Sequence, residues 1–310
     1  ALIVLVWPTA LATLLAKSAN LWWVWELTVH FKLQYLLVGL LCVVPAIWLR
    51  LWATLALSVM CVVINAHSVA QYFGMDGEST TPVSVSAQTH ASIRVASLNV
   101  WFGNTNYGSV ADWIKQIQPD VVVMVETDAT WQEALARQLP DWPHQQQEIV
   151  AGQTGKMFIS KLPFESIESI GSGAIRSPLP VFTINVDGVA VRLASVHTHW
   201  PIGKSNAASR NRSLSVIAGA ATSDGPPLIA AGDFNISPFS PPFQTMLDEG
   251  RLVRSSAGRG WLPTWPHFLP LAGIQIDHIL VPDSISVAGF TVHKGLGSDH
   301  HGIVADLRIP

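Results

Sequence analysis

Three apolar stretches in the first third of the chain constrain its fold more than any other feature. They span residues 1–16, 33–49 and 51–66. A helix that crosses a membrane needs about 20 apolar residues, so each stretch is at the short end of the usual length. We predict about three short membrane spans within residues 1–70. Two spans preceded by the remnant of a signal sequence, or a buried hairpin of a soluble protein, are the alternatives.

Charge is distributed unevenly along the sequence. Only three of the 18 Lys and Arg and three of the 21 Asp and Glu lie in residues 1–90, so the remainder is charged like a soluble domain. Residues 71–92 are rich in Gly, Ser, Thr and Pro and are predicted to be a linker. Both cysteines, Cys42 and Cys61, precede this linker. A disulfide framework is therefore excluded from the predicted soluble domain, residues 93–310.

The orientation of the spans is predicted from a few residues. Arg50 stands between the second and third apolar stretches, and residues 71–89 contain acidic residues but no Lys or Arg. Positive charge favours the cytoplasmic side, so we predict a multi-pass protein of the cell inner membrane with a periplasmic or extracellular soluble domain. Lys17 and Lys32 favour the opposite orientation mildly. Tryptophans in the first connection suit the membrane–water boundary: Trp22, Trp23 and Trp25.

The soluble part alternates between strand and helix patterns. Strands are predicted at residues 93–100, 121–125, 156–160, 181–186, 189–196, 228–231, 275–281 and 302–309, and helices at 109–118, 129–139 and 205–221. Asp187 and Gly188 form a hairpin signal between two of these strands. Strands that mix with helices and hairpins predict a layered α/β domain with parallel and antiparallel pairing.

Acidic, amide and imidazole side chains recur where the predicted strands begin or end, and two more interrupt the strand predicted at residues 275–281. They are Asn99, Glu126, His197, Asp233, Asn235, Asp277, His278, Asp299 and His300. Open α/β sheets bind ligands in the crevice at the ends of their strands. One such residue is a weak signal, but repeated occurrence predicts a single shared site.

These stretches resemble, in order, the endonuclease/exonuclease/phosphatase superfamily with its DNase I-like fold. The matching stretches are Ser97–Val100, Val125–Thr127, Val196–Thr198, Gly232–Asn235, Ile276–Ile279 and Ser298–His300. The resemblance covers about residues 93–309, and membrane-attached bacterial members are especially similar. It implies a four-layer α/β sandwich of two mixed sheets flanked by helices, preceded here by N-terminal transmembrane helices.

The resemblance also implies a divalent metal, Mg²⁺ or Mn²⁺. Glu126 is then the principal ligand, Asn99 assists at the metal or the phosphate, and Asp299 joins the metal shell. Magnesium takes few carboxylates and completes its shell with water and substrate phosphate. Trp101 stands where many members of the superfamily carry an acidic or amide residue, so the number of metal ions is left open, with Asn104 as an alternative ligand.

Phosphoester hydrolysis needs a nucleophile, neutralised phosphoryl oxygens and a leaving oxygen that can depart. Asp233 suits the general base that activates water. Asn235, on the same side of an extended chain, would hold the water or the phosphate. His300 would contact the phosphate, and Asp277 would orient its imidazole. His197 would give a second phosphate contact.

Two further residues are candidates for substrate binding. His199 lies two positions after His197 and faces the same side of an extended chain. Arg210 lies in the helix predicted after that loop, where a solvated helix face is the alternative. The segment 261–271 is rich in Trp, Pro and Leu. It is predicted to be a substrate-side loop, a loop that dips into the bilayer, or an ordinary packed loop.

The function predicted is a membrane-anchored, metal-dependent phosphodiesterase or phosphatase. The predicted anchor and the lack of a basic run favour a lipid or lipid-linked phosphate as substrate, because nucleic-acid binding usually depends on a basic face. A membrane-tethered nuclease acting on DNA or RNA is the alternative, and a non-catalytic binding module is a third. The sequence leaves the choice between monoester and diester, and the oligomeric state, open.

Overall fold

The computed structural model describes residues 1–73, 91–148, 154–269 and 271–310. Its α-helices are α1 (Leu2–Lys17), α2 (Trp23–Glu26), α3 (Lys32–Trp48), α4 (Trp52–Tyr72), α5 (Tyr107–Ile117), α6 (Ala129–Gln138), α7 (Lys204–Ala221) and α8 (Pro241–Gly250). Its strands are β1 (Ala91–Asn99), β2 (Val121–Thr127), β3 (His144–Glu148), β4 (Gly155–Ser160), β5 (Phe164–Ile170), β6 (Leu179–Val186), β7 (Val189–His197), β8 (Leu228–Asp233), β9 (Leu252–Arg254), β10 (Asp277–Pro282), β11 (Ser286–His293) and β12 (Gly302–Ile309).

The three predicted apolar stretches form helices α1, α3 and α4. Two helical stretches, Trp23–Trp48 and Trp52–Tyr72, are long and apolar enough to cross a membrane, and α1 is shorter. Most of the predicted linker falls on residues 74–90, which lie outside the described residues. Strand β1 begins at Ala91, two residues before the predicted start of the soluble domain.

The N-terminal helices pack through small and polar residues and leave large apolar side chains outside. Gly39 of α3 lies against α4, where an added Cβ would stand 2.9 Å from the Ser58 carbonyl oxygen. Cys61 and Asn65 of α4 are also buried, whereas the outward Leu41 of α3 is 74% exposed. This distribution is the reverse of a water-soluble bundle, which buries its leucines.

Each of two six-stranded mixed sheets has a parallel pair of strands at its centre. Sheet A has the order β11-β12-β1-β2-β4-β3, and sheet B has the order β5-β6-β7-β8-β10-β9. The parallel pairs are β1 with β2 and β7 with β8, connected through α5 and α7. Because strands of a parallel pair end at the same edge, the two pairs place four strand ends in one region.

Three apolar clusters separate the layers. One lies between the sheets and includes Val123 and Phe182. A second joins sheet A to α5 and α6 through Trp113 and Trp131. A third joins sheet B to α7 and α8 and includes Phe243. The layers are therefore helices, sheet, sheet and helices, which confirms the predicted four-layer α/β sandwich.

A smaller apolar cluster joins the N-terminal helices to the sandwich. It contains Val29, Val69, Tyr72 and Phe239, all buried. The Tyr72 hydroxyl donates to Gln275 Oε1 at 2.9 Å. The N-terminal helices are thus packed directly on the side of the sandwich that carries the loop after β8.

Candidate active site

The ends of the central strands bring the predicted polar residues to one place. Asn99 ends β1, His197 ends β7 and Asp233 ends β8. Asp233 is paired in register with His197 on one side and with Asp277 on the other. Gly232 allows this close pairing, since a Cβ there would collide with the Val196 carbonyl oxygen. The glycine of this Gly-Asp stretch is therefore a requirement of the sheet.

A cavity of about 760 Å³ opens over these strand ends. Its polar lining residues are His30, Glu126, His197, Thr198, His199, Asp233, Asn235, Asp299 and His300. Its apolar lining residues are Leu27, Phe31, Trp101, Phe102, Trp200, Pro201, Ile202, Trp265, Ile274 and Ile276. Among the described residues that line it, none is Lys or Arg. The cavity therefore combines an acidic and imidazole-rich part with a broad apolar wall.

Glu126 reaches the cavity from a bulge in β2. The pairing of β2 with β4 shifts between Val125 and Thr127, and the Glu126 backbone is left-handed, with φ at 63°. Its Oε1 accepts from Asn99 Nδ2 at 3.0 Å, and its Oε2 accepts from the Phe102 N–H at 3.0 Å. The side chain is 18% exposed. The bulge thus holds one carboxylate at the cavity surface in a fixed orientation.

Asp233 is a buried carboxylate that several donors surround. Its Oδ2 accepts from Asn99 Nδ2 at 3.1 Å and from Asn235 Nδ2 at 3.2 Å, and its Oδ1 accepts from the Asn235 N–H at 2.8 Å. Burial raises the pKa of Asp233 to about 7, while the nearby His300 opposes this rise and Asp277 adds to it. A carboxylate with such a pKa can accept a proton near neutral pH.

His300 forms a buried pair with Asp277. Its Nδ1 lies 2.9 Å from Asp277 Oδ2, and its Nε2 lies 3.9 Å from Asp233 Oδ2. Burial alone would lower the pKa of His300, but the charge and hydrogen bond of Asp277, with smaller contributions from Asp233 and Asp299, raise it to about 10. His300 is therefore a cation at neutral pH, facing the cavity.

The pKa of His197 is shifted in the opposite direction to that of His300. Its Nε2 lies 3.5 Å from Glu126 Oε1. Burial lowers the pKa of His197 to about 4, although the Glu126 carboxylate opposes this shift. The His197–Glu126 contact is therefore not an ion pair at neutral pH, and His197 meets a ligand as a neutral imidazole.

Two residues to which the sequence analysis gave no individual role, Trp265 and Ser298, support these groups. Asp299 Oδ2 accepts from Trp265 Nε1 at 3.1 Å, which fixes the carboxylate at the edge of the cavity. Ser298 Oγ donates to the Asn99 carbonyl at 2.7 Å and accepts from the His300 N–H at 3.0 Å. Trp265 lies in the segment 261–271, which therefore contributes one wall residue. Ser298 belongs to a stretch of the predicted motif, but its hydrogen-bonding partners were not evident from spacing.

The two predicted substrate-binding residues differ in position. His199 lines the cavity, and its Nε2 is buried with no hydrogen-bond partner among the described residues. Arg210 is fully buried away from the cavity, with Nη2 at 2.5 Å from Glu26 Oε2. The structure thus contradicts the prediction that Arg210 reaches substrate, because its guanidinium is committed to a residue of the N-terminal helices.

Trp101 and Asn104 also differ in position, since only Trp101 is among the residues that line the cavity. Trp101 lines the cavity with a left-handed backbone, φ 62°, and its N–H donates to Asn99 Oδ1 at 2.9 Å. Asn104 is buried; its Nδ2 donates to the Leu296 carbonyl, and its Oδ1 accepts from the Asn106 N–H. Asn104 therefore holds its own loop and is not placed as an alternative ligand.

The donor set is sparse but consists of hard oxygen ligands. No group of three or more His, Cys, Asp or Glu able to hold a metal ion is found among the residues that the structure describes. Asn99 turns Nδ2, not Oδ1, toward Glu126. The Glu126 carboxylate and the buried Asp299 Oδ1, which has no hydrogen-bond partner within the described ranges, remain as oxygens at the cavity. Such a set fits a cation like Mg²⁺, which takes one or two carboxylates and completes its shell with water and phosphate.

Solved structures with the same fold come from several organisms. A humanized D. rerio TDP2 is 16% identical, with a TM-score of 0.59, over 70% of this chain and 99% of its own. The endonuclease/exonuclease/phosphatase from Beutenbergia cavernae is 21% identical, with a TM-score of 0.59, over 71% of this chain and 72% of its own. D. rerio TDP2 complexed with a single-strand DNA product is 16% identical, with a TM-score of 0.59, over 70% of this chain and 99% of its own.

The family assignment rests on the sequence of the sandwich domain. No curated protein matches the chain. The model of the endonuclease/exonuclease/phosphatase family matches residues 96–300, which include every polar residue of the cavity lining except His30. Members of this family are generally hydrolases that act on phosphoesters, and they typically use divalent metals. The chain belongs to the endonuclease/exonuclease/phosphatase family.

Proposed function

We propose that this protein is a membrane-anchored, divalent-metal-dependent phosphoester hydrolase that acts on a lipid or lipid-linked phosphate. The observation that carries the proposal is the composition of the cavity. Leu27 and Phe31 of the N-terminal helical region line it together with Asp233 and His300. A phosphoester carrying an apolar chain matches a cavity that has both kinds of wall.

The family chemistry can be assigned to individual side chains. Glu126, with Asp299, would hold Mg²⁺ or Mn²⁺, which when bound supplies positive charge to the phosphoryl oxygens. Asp233, with a pKa of about 7, would take a proton from the attacking water. The His300 cation would stabilise negative charge on the phosphate, and Asn99 and Asn235 would keep the carboxylates in place.

Charge around the cavity favours a lipid over a nucleic acid. The described lining residues contain three carboxylates, Glu126, Asp233 and Asp299, and no Lys or Arg. A protein that tracks a nucleic-acid backbone pairs several phosphates with basic side chains. The complex of D. rerio TDP2 with single-strand DNA nevertheless keeps a nuclease as the second candidate.

Exposed apolar residues around the cavity support a site that works at a bilayer surface. Phe102 is 73% exposed, Trp200 59% and Ile202 53%, and all three line the cavity. Exposed apolar side chains that share one rim mark a site of contact with a partner, a ligand or a membrane. Next to helices that are apolar enough to span a membrane, they suit contact with lipid at the interface.

The membrane anchor is itself part of the proposal. The outward leucines and the small, polar interior of the helices are the arrangement expected in lipid, where close packing replaces the hydrophobic effect between helices. Arg50 lies in the turn between α3 and α4, whereas Tyr72 at the other end of α4 packs on the sandwich. The positive-inside rule then supports a multi-pass inner-membrane protein with a periplasmic catalytic domain.

The test is a substrate panel with the full-length protein in detergent micelles or nanodiscs. After removal of metal with EDTA, Mg²⁺ or Mn²⁺ is added with phospholipid vesicles, a polyprenyl phosphate, single-stranded DNA, RNA or bis(p-nitrophenyl) phosphate. We expect metal-dependent release of product from a lipid substrate and loss of this turnover in Asp233→Asn. Cleavage of DNA or RNA without lipid turnover would establish the nuclease instead. Absence of metal-dependent turnover on every substrate would favour a binding module.

A further inference from the structure

The short helical segment before α3 is attached to the sandwich by a buried polar cluster. Glu26, at the end of α2, accepts from Arg210 Nη2 at 2.5 Å and from Ser240 Oγ at 2.6 Å. The side chains of Glu26 and Arg210 are 4% and 0% exposed. Because each charge would be costly to leave unpaired in the interior, the cluster fixes this segment in one position on the sandwich.

Attachment at Glu26 brings the next turn of the chain to the active-site cavity. Leu27, His30 and Phe31 all line the cavity, on elements far in sequence from the catalytic strands. His30 is only 4% exposed. Its Nδ1 lies 2.8 Å from Ser237 Oγ, and Ser237 stands in the loop that follows β8. His30 is therefore held by the loop that also carries Asn235.

The second nitrogen of His30 is the unusual feature. Nε2 is buried and has no hydrogen-bond partner among the residues that the structure describes. Buried polar atoms in proteins are nearly always paired, and an exception needs an explanation. Ser237 holds the ring through Nδ1. Nε2 lies on the opposite edge of the imidazole, so Ser237 cannot be its partner. In a residue that lines the cavity, a polar group of the bound substrate is the partner that resolves the imbalance.

We propose that His30 is a substrate-binding residue, supplied to the active site by the N-terminal helical region. With Nδ1 accepting from the Ser237 hydroxyl, the Nε2–H group donates to an oxygen of the lipid next to the scissile phosphoester. Leu27 and Phe31 contact the start of the apolar chain. The proposal rests on the proposed lipid hydrolase function. It makes the N-terminal region part of the active site in addition to an anchor, and it gives that region a role in the choice of substrate.

The test compares two substrates in one set of variants. Full-length wild type, His30→Ala and His30→Gln are assayed with the lipid substrate in mixed micelles and with bis(p-nitrophenyl) phosphate. Loss of one hydrogen bond to a substrate should lower kcat/KM for the lipid about tenfold, mainly through KM. The small diester, which does not extend to the apolar wall, should lose less. Gln keeps a polar group and should recover part of the lipid activity.

The matched control is His67→Ala, which removes an exposed histidine from α4, outside the residues that line the cavity. It should leave both activities unchanged. If His30→Ala leaves lipid turnover unchanged, the inference about His30 is overturned and the proposed function stands. An equal loss on both substrates, together with a lower Tm, would also overturn the inference, because that result marks a structural role. If wild type turns over no lipid, the proposed function fails and the inference fails with it.

Discussion

Replacing Asp277 by Asn should move the alkaline limit of activity to lower pH. His300 is buried, and burial favours its neutral form, but the Asp277 carboxylate at 2.9 Å is the main reason that its pKa is raised to about 10. An amide keeps the size of the side chain but removes the charge. In Asp277→Asn the pKa of His300 should therefore fall to about its ordinary value of 6.5, because Asp233 and Asp299 still oppose the effect of burial.

The size of the effect depends on pH. At about pH 8, an imidazole with a pKa of about 10 is almost wholly protonated, whereas only ~3% is protonated at a pKa of about 6.5, so the rate should fall about 30-fold. At about pH 5.5 both proteins carry the cation, and the ratio of variant to wild-type activity should return toward one. The loss is thus expected on the alkaline side only.

The assay is a pH–rate profile of kcat/KM with Mg²⁺ and a soluble phosphodiester. Asp283→Asn is the control, because Asp283 is half exposed and pairs with Arg251 on the surface. It should give a ratio to wild type that is independent of pH. If Asp277→Asn lowered activity by the same factor at pH 5.5 and pH 8, the reasoning about the charge of His300 would be refuted.

Three further predictions concern other parts of the site and its attachment. Glu126→Gln should abolish metal-dependent turnover and weaken Mg²⁺ binding in calorimetry, and an unchanged affinity would contradict its role as ligand. Glu26→Ala leaves Arg210 buried and unpaired, so it should lower the free energy of unfolding by about 3–5 kcal/mol. The control Asp283→Ala removes a surface pair and should cost less than about 1 kcal/mol. Thermal melts in detergent compare the two variants. Wild-type activity should rise with pH through about 7 as Asp233 loses its proton, and a profile without this acid limb would show that another group is the base.

The interior of the sandwich could be predicted from the sequence because its strands are buried on both faces. Continuous apolar runs such as 121–125 identify β2 directly. The four strands that prediction missed, β3, β5, β9 and β11, are the outermost strands of the two sheets. An edge strand has few buried faces, and β3 reads His-Gln-Gln-Gln-Glu, so its sequence carries no apolar pattern to detect.

The site was predictable to the extent that it follows strand ends. Asn99, His197 and Asp233 end central strands, and the sheet topology alone brings them together. Their chemical roles remain predictions. The wall formed by Leu27 and Phe31 had no signal in the sequence, since it depends on how the N-terminal helices pack on the sandwich.

Arg210 is a residue that the sequence predicted for the site and that the structure places outside it. Its position in a helix after the His197 loop suggested a contact with substrate, and a solvated helix face was the alternative. Its partner Glu26 lies 184 positions away in the chain, so neither spacing nor periodicity could reveal the pair. A basic residue near a site in sequence is therefore weak evidence that it reaches the site in space.

The left-handed backbone at the cavity sets the stability of the fold against the side chains that the site needs. Glu126 and Trp101 adopt φ near 60°, a conformation that costs an ordinary L-residue about 1–2 kcal/mol and costs glycine almost nothing. Glycine at either position would relieve that backbone cost. It would also remove the carboxylate or the indole from the cavity. The backbone at these two positions therefore gives up some folding stability so that a carboxylate and an indole can stand in the cavity.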